Sequence, residues 1–360
     1  MNKLNDEWTE DEDKNIIGCN ECGARNLNKD GHSYSINLNK GKSKKQRWKC
    51  LACGKKTVSP KIVQKSPFTA QDKKPEYIPI EELIAYRKKQ FTQKTVARRD
   101  RKLINIDINQ KGPIGILHFG DPHVDDDGTD IGELYKLCNL VNKTDGLFGG
   151  NLGDIQNNWI GRLQALYGAQ STSHKEAWRL TEHFVNQVDW LYLVAGNHDV
   201  WSGEGDPLEF IMREHSGVYE RHGARMNLKF PNGKNIRINA RHMFKGNSMW
   251  NTAHGVSKAA QMGWKDHILT CGHTHVSGYQ VLKDPASGLI SHAMQVASFK
   301  IHDSYADKLG LDDKNIFNAP VTIIDPKYDD DDNRLVTTIF NPYEGAEYLN
   351  YKRQQWKNKK

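Results

Sequence analysis

No hydrophobic run in this chain approaches the roughly 18 residues that a membrane-spanning helix needs. Cysteine is scarce, six in 360 residues, so the dense disulfide framework of small secreted proteins is excluded. The opening stretch, MNKLNDEWTEDEDKN, is acidic and lacks the apolar centre of a signal peptide. No solenoid-type repeat is present. Hydrophobic residues make up 37% and charged residues 26%, which excludes a disordered or membrane chain and leaves a globular one of two or three domains. Together these absences imply a cytoplasmic protein, or one in the host cytoplasm if the chain is phage-encoded.

Charge is unevenly placed. Residues 40–102 hold 20 Lys and Arg against 5 Asp and Glu, a local charge of +15, whereas the remainder of the chain carries −8. A basic segment set on a slightly acidic body is the footprint expected of a protein that grips a phosphate backbone. A solvated basic linker is the plain alternative.

Four of the six cysteines form two pairs, Cys19-Asn-Glu-Cys22 and Cys50-Leu-Ala-Cys53, with 27 residues between them. Four thiolates on two knuckles suit a closed tetrahedral zinc site, which builds a fold and leaves no position open for chemistry. Gly23 and Gly54 follow the knuckles, where a tight turn needs them. The wording CNECGARN, a basic spacer and KQRWKCLACGKKT resembles the zinc ribbon at the N-termini of many transposases and phage proteins. That resemblance implies contact with nucleic acid or with another protein. Trp48, between Arg47 and Lys49, either stacks on a base or packs on the zinc site.

The chain is therefore read as an acidic disordered tail (1–15), a zinc ribbon (16–60), a basic linker and helix (61–112), a larger domain (113–345) and a basic C-terminal tail (346–360). In the larger domain, short apolar runs alternate with helix-length segments, and most of the runs end in Gly, Asp or His: IGILHFGD, DGLFGGNLGD, VDWLYLVAGNHD, KNIRINARH and DHILTCGHTH. This is an α/β pattern. In such sheets the C-terminal strand ends converge on one edge, so groups distant in sequence meet in space.

Those ends carry Asp121 and His123, Asp154 with Asn157, Asn197-His198-Asp199, His242, and His273 with His275. Carboxylate, amide and imidazole donors in this number exceed what one tetrahedral ion takes and suit two divalent ions. His254, the rival of His242, follows no strand-like run.

In order, D-x-H, G-D-x-x-N, G-N-H-D, H and G-H-x-H resemble the signature of calcineurin-like metallophosphoesterases over about residues 113–300. The resemblance implies an α/β metallophosphoesterase-type β-sandwich flanked by helices. It further implies that Asp121, His123 and His275 ligate one metal, that Asn197, His242 and His273 ligate a second, and that Asp154 bridges them. Manganese, iron and zinc all accept these ligands. His198 is expected beside the substrate, protonating the leaving oxygen, with Asp199 orienting it. The Asp-Arg-Gly of the Ser/Thr protein phosphatases is absent, so a protein phosphatase is not expected. Asn157 and Arg162 are candidate substrate-binding residues, with a helix-surface role the alternative for Arg162.

The function expected is a dinuclear-metal phosphodiesterase or nuclease acting on DNA or RNA. One alternative is a phosphoesterase for small molecules or nucleotides, with a nucleic-acid-localising arm. Another is a DNA-binding assembly protein with a degenerate site, against which the complete donor set argues.

Overall fold

The structure is a computed structural model that describes residues 9–11, 16–37, 41–63, 77–100, 102–201, 205–303, 307, 310 and 317–358. Most of the expected acidic tail and residues 64–76 of the expected linker lie outside the described residues. The chain divides into two compact units, Met1–Tyr86 and Arg87–Lys360. No described helix is long and apolar enough to cross a membrane.

The first unit is built on an antiparallel hairpin of β2 (Leu27–Asn37) and β3 (Gly41–Cys50), extended by β4 (Lys56–Thr57). A second small pair joins β1 (Ile17–Gly18) to β5 (Lys61–Ile62). Ile17, Leu27 and Trp48 cluster with Cys19 and Cys50. Trp48 is buried, so of its two expected roles the structure gives it packing, with Lys29 Nζ 5.9 Å from the ring centre. Thr9 lies within the segment expected to be a free tail, but its hydroxyl donates to the Leu27 carbonyl (2.9 Å).

Helix α1 (Ile80–Asp100) follows, and its apolar Ile80, Ile84 and Phe91 are exposed. The second unit then begins with two six-stranded mixed sheets. One has the order β10 (Val218–Arg221), β9 (Trp190–Ala195), β8 (Leu147–Asn151), β7 (Ile114–Phe119), β16 (Val321–Ile324), β17 (Val336–Ile339). The other has the order β14 (Gly278–Lys283), β15 (Ile290–Gln295), β13 (Ile268–Cys271), β12 (Asn235–Arg241), β11 (Gly223–Lys229), β6 (Ile104–Asp107). Neighbours β7, β8, β9 and β10 run parallel in the first sheet, as do β12, β13 and β15 in the second.

Strand alternation separates the layers. Ile114 and Ile116 of β7 and Tyr192 and Val194 of β9 meet Met226, Leu228, Ile236 and Ile238 of the other sheet in one buried cluster. The alternate residues Leu117, Phe119 and Leu193 face helices α2 (Ile131–Lys143) and α3 (His174–Val185). On the outer face of the second sheet, Leu269, Cys271 and Ala293 pack with Val256 and Ala260 of α6 (His254–Met262). The fold is thus α/β, two sheets face to face with helices outside.

Residues 346–357 of the expected basic C-terminal tail belong to helix α7 (Pro342–Lys357). Its net basic sequence conceals an apolar stripe: Ala346 and Leu349 are buried, and Leu349 lies over Gly115, where any Cβ would come within 2.9 Å of it. Arg353 is also buried, donating to the Pro113 carbonyl (2.6 Å) and to Asp145 (3.0 Å). Leu349→Ala is expected to lower unfolding free energy by about 2–5 kcal/mol in a denaturant titration. A loss below about 0.5 kcal/mol, the scale of a surface change, would mean that the helix does not dock.

Candidate metal centres

In the first unit, Cys19 Sγ lies 3.6 Å from Cys53 Sγ, and Cys22 Sγ lies 3.6 Å from Cys50 Sγ. Sulfurs about 2.3 Å from a tetrahedral zinc would be roughly 3.8 Å apart, so the four residues fit one ion. Gly23 and Gly54 both adopt φ +73°, closing the turns behind each knuckle. Backbone N–H groups of Cys22 and Glu21 lower the Cys19 thiol to about 7, favouring the thiolate a metal binds.

In the second unit, the C-terminal ends of β7, β8 and β9 in one sheet and of β12 and β13 in the other deliver their side chains to a common place. Asp154, His242 and His273 each present one donor atom, all within 4.8 Å of one another. His242 Nδ1–H donates to the Leu152 carbonyl (2.8 Å), which leaves Nε2 as the ring atom turned to the site. That nitrogen faces Asn197 Oδ1 at 3.0 Å, His273 Nδ1 at 3.0 Å and Asp154 Oδ2 at 3.2 Å. Beside this nest, His275 Nε2 lies 3.2 Å from His123 Nε2 and 3.5 Å from Asp121 Oδ2. Asp121, His123 and His275 are thus linked pairwise through His275. Asp121 Oδ1 and His123 Nδ1 are buried without a hydrogen-bond partner. Acceptors facing acceptors with too few protons to share are what a cation resolves, so the donor set fits metal ions.

The backbone is strained where these groups sit. His123, Asp154, His273 and His275 all adopt positive φ, between 41° and 76°, a region disfavoured for side chains with a Cβ. Two glycines permit the close approach: a Cβ on Gly196 would lie 2.0 Å from Asp154 Oδ1, and one on Gly272 would lie 2.3 Å from Asp121 Oδ1. The G in G-N-H-D and in G-H-x-H therefore has a steric reason.

His198 and Asp199 occupy the short helix α4 (Asn197–Val200). Asp199 was expected to orient His198, and the geometry corrects this. Its carboxylate instead accepts the backbone N–H groups of Gly196 (2.7 Å), Asp154 (2.8 Å) and Ile155 (3.0 Å). It pins the β8 and β9 loops together. His198 Nδ1 hydrogen-bonds the Asn157 carbonyl, and the ring lies against both Trp159 and Trp201, with centroids 5.0 and 4.0 Å away. Its Nε2 stays 3.8 Å from Asp154 Oδ2. The Asn157 side chain points away from this ring, donating to Asp126 Oδ2 (2.7 Å) and Gln170 Oε1 (3.1 Å). These contacts tie the Asn157 amide to the neighbouring loops. Arg162 is exposed on a 3-10 segment, Gly161–Ala169. His254 begins α6, apart from the nest.

Sequence reasoning missed Asn158, Trp159, Trp201, Gln295 and Lys300. Asn158 Nδ2 donates to the His198 carbonyl (2.7 Å). Gln295 accepts from Cys271 Sγ (3.1 Å) and donates to the Gly272 carbonyl, steadying the turn that carries His273. Lys300, 3% exposed, pairs with Asp126 and Asp303, both at 2.9 Å. The only sequence signal for it was a lone cation in the run VASFKI. Cys271 packs against α6 and is no metal ligand candidate; burial pushes its thiol up to about 12.

No protein-family model matches this chain, and no curated protein does. Among solved structures, it is similar to an uncharacterised Streptococcus pneumoniae protein described as a predicted phosphoesterase, at 12% identity and a TM-score of 0.28, covering 64% of this chain and 99% of that one. It is also similar to GAP50, the anchor in the inner membrane complex of Plasmodium, at 10% identity and a TM-score of 0.33, covering 64% and 84%. At such scores the likeness adds no weight to the geometry.

Electrostatics show how the metal-free site is balanced. Burial lifts Asp121 to about 8, His242 opposing and Asp154 adding to the shift. Burial would lower His242, but the Asp154 and Asp121 carboxylates overcome it and lift the ring to about 10. His275 is lowered to about 4 by burial. Asp121 and His242 both hold protons more tightly when folded than at their ordinary values of 3.8 and 6.5. The stability they supply is full below those values and is lost as pH rises through about 8 and about 10. The metal-free protein should therefore melt at progressively lower temperature from about pH 7 to about pH 10, and a divalent cation in place of the protons should flatten the slope. A metal-free melting temperature independent of pH over that range would contradict this balance.

Proposed function

We propose that this protein is a dinuclear-metal phosphoesterase, most specifically a phosphodiesterase acting on nucleic acid. The observation that carries the reading is His242 Nε2 facing Asn197 Oδ1, His273 Nδ1 and Asp154 Oδ2, beside a second nest built on His275. In this reading Asp121, His123 and His275 hold one divalent ion, and Asn197, His242 and His273 hold the other. Asp154 serves both, and the Cys cluster holds a structural zinc. When bound, the ions supply Lewis acidity that activates water and offsets phosphoryl charge.

The remaining work falls to the chain itself. His242 turns its Nε2 toward the site because its Nδ1–H donates to the Leu152 carbonyl. His198 Nδ1–H is committed to the Asn157 carbonyl, so its Nε2 is the atom free to protonate the leaving oxygen. Asp199 holds the loops bearing Asp154 and His198 in register through three backbone N–H groups. The +15 segment of residues 40–102 supports a polyanionic substrate. On the ribbon hairpin, Lys42, Lys44 and Lys45 are exposed and take part in no ion pair among the described residues.

The test is an assay of the full-length protein with Mn²⁺ on single- and double-stranded DNA, RNA and bis-p-nitrophenyl phosphate. Chelation should abolish turnover, and Asp154→Ala should lower kcat by more than about a hundredfold. Full activity in Asp154→Ala would overturn the shared-carboxylate assignment. Cleavage of the small diester but of no nucleic acid under any condition would overturn the substrate assignment.

A further inference from the structure

Three tryptophans of the second unit show two modes of packing. Trp190 is buried, 4% exposed, and its indole N–H donates to the Val185 carbonyl (2.7 Å). This is the usual state of a structural tryptophan. Trp159 and Trp201 differ. Each is half-buried, and among the described residues neither indole N–H has a hydrogen-bond partner. Both rings lie against His198, Trp159 nearly edge-on at 74° and Trp201 tilted by 39°.

Their positions follow from the backbone. Trp159 lies in the loop that follows β8, and Trp201 caps the C-terminus of α4 three residues beyond His198, so the two side chains come from separate strand ends. The buried Lys300 amine sits 5.4 Å from the Trp159 ring centre, while Tyr167 Oη accepts the Trp159 backbone N–H (3.1 Å). Both indoles thus stand beside the His198 ring with part of their surface exposed.

From this we infer that Trp159 and Trp201 form a stacking clamp for a nucleoside on the leaving-group side of the scissile phosphoester. The inference rests on the phosphoesterase reading in one respect: His198 Nε2 faces the leaving oxygen, so whatever that oxygen carries must pass between or beside the two indoles. A flat heterocycle is the group whose π-face an indole holds, whatever its base identity. The clamp would therefore favour nucleotide diesters over alkyl diesters, without strong sequence preference.

The experiment uses the full-length protein with Mn²⁺ and two diesters, thymidylyl-thymidine and the analogue in which the leaving-side thymine is replaced by hydrogen. The native protein should show a KM lower by roughly tenfold or more for the dinucleotide than for the analogue lacking the leaving-side base. In Trp159→Ala and Trp201→Ala that ratio should fall toward one, and in Trp159→Phe, which keeps a ring in a foldable background, most of it should survive. A native ratio near one would overturn the clamp. So would variants that lower kcat on both diesters alike and leave the ratio intact, because the indoles would then serve only to hold His198. If the native protein turns over no phosphoester, the reaction reading fails separately. Calorimetric binding of the same diesters then decides the clamp: a preference for the base-bearing compound that Trp159→Ala removes supports it, and equal binding overturns it.

Discussion

The Nε2 atom of His242 faces an amide oxygen, an imidazole nitrogen and a carboxylate oxygen, all within 3.2 Å. Its other nitrogen, Nδ1, donates its N–H to the Leu152 carbonyl. Without a positive charge this contact would be repulsive in a buried place, and in the metal-free protein an extra proton supplies it, which is why the ring is lifted so far from its ordinary value. The strained backbone at His123, Asp154, His273 and His275 and the glycines at 196 and 272 are arranged around this unfavourable gathering. Two face-to-face sheets hold it in place, since no single loop could bring five strand ends together against their mutual repulsion.

Much of this was legible in the sequence because strand ends are punctuated. Each apolar run of β7, β8, β9, β12 and β13 stops where its chemical group begins, and the groups fall in a fixed order. The choice of His242 over His254 followed from that punctuation, and the structure places His242 in the nest and His254 at the start of α6. The two Cys pairs were legible for the same reason, as local spacing with glycines at the turns.

What was not legible depended on tertiary direction. Asp199 follows His198 directly, yet on the first turn of a helix neighbouring side chains diverge, and its carboxylate turns back to three backbone N–H groups instead. Asn157 carries an amide in a loop rich in polar residues, and nothing local tells that its carbonyl, not its side chain, meets His198. Lys300 and Arg353 look like surface cations, but Asp126 and Asp145, distant in sequence, pair with them. Helix α7 was hidden because its basic composition outweighed a narrow apolar stripe that gains meaning only against Gly115 and Val321.

The central claim is that one carboxylate, Asp154, joins two adjacent cation sites. Electron paramagnetic resonance of the full-length protein titrated with Mn²⁺ after chelation tests it most directly. A spin-coupled pair is expected in the native protein and should be absent in Asp154→Ala. A spectrum of isolated ions only, at every Mn²⁺ concentration in the native protein, would contradict the account.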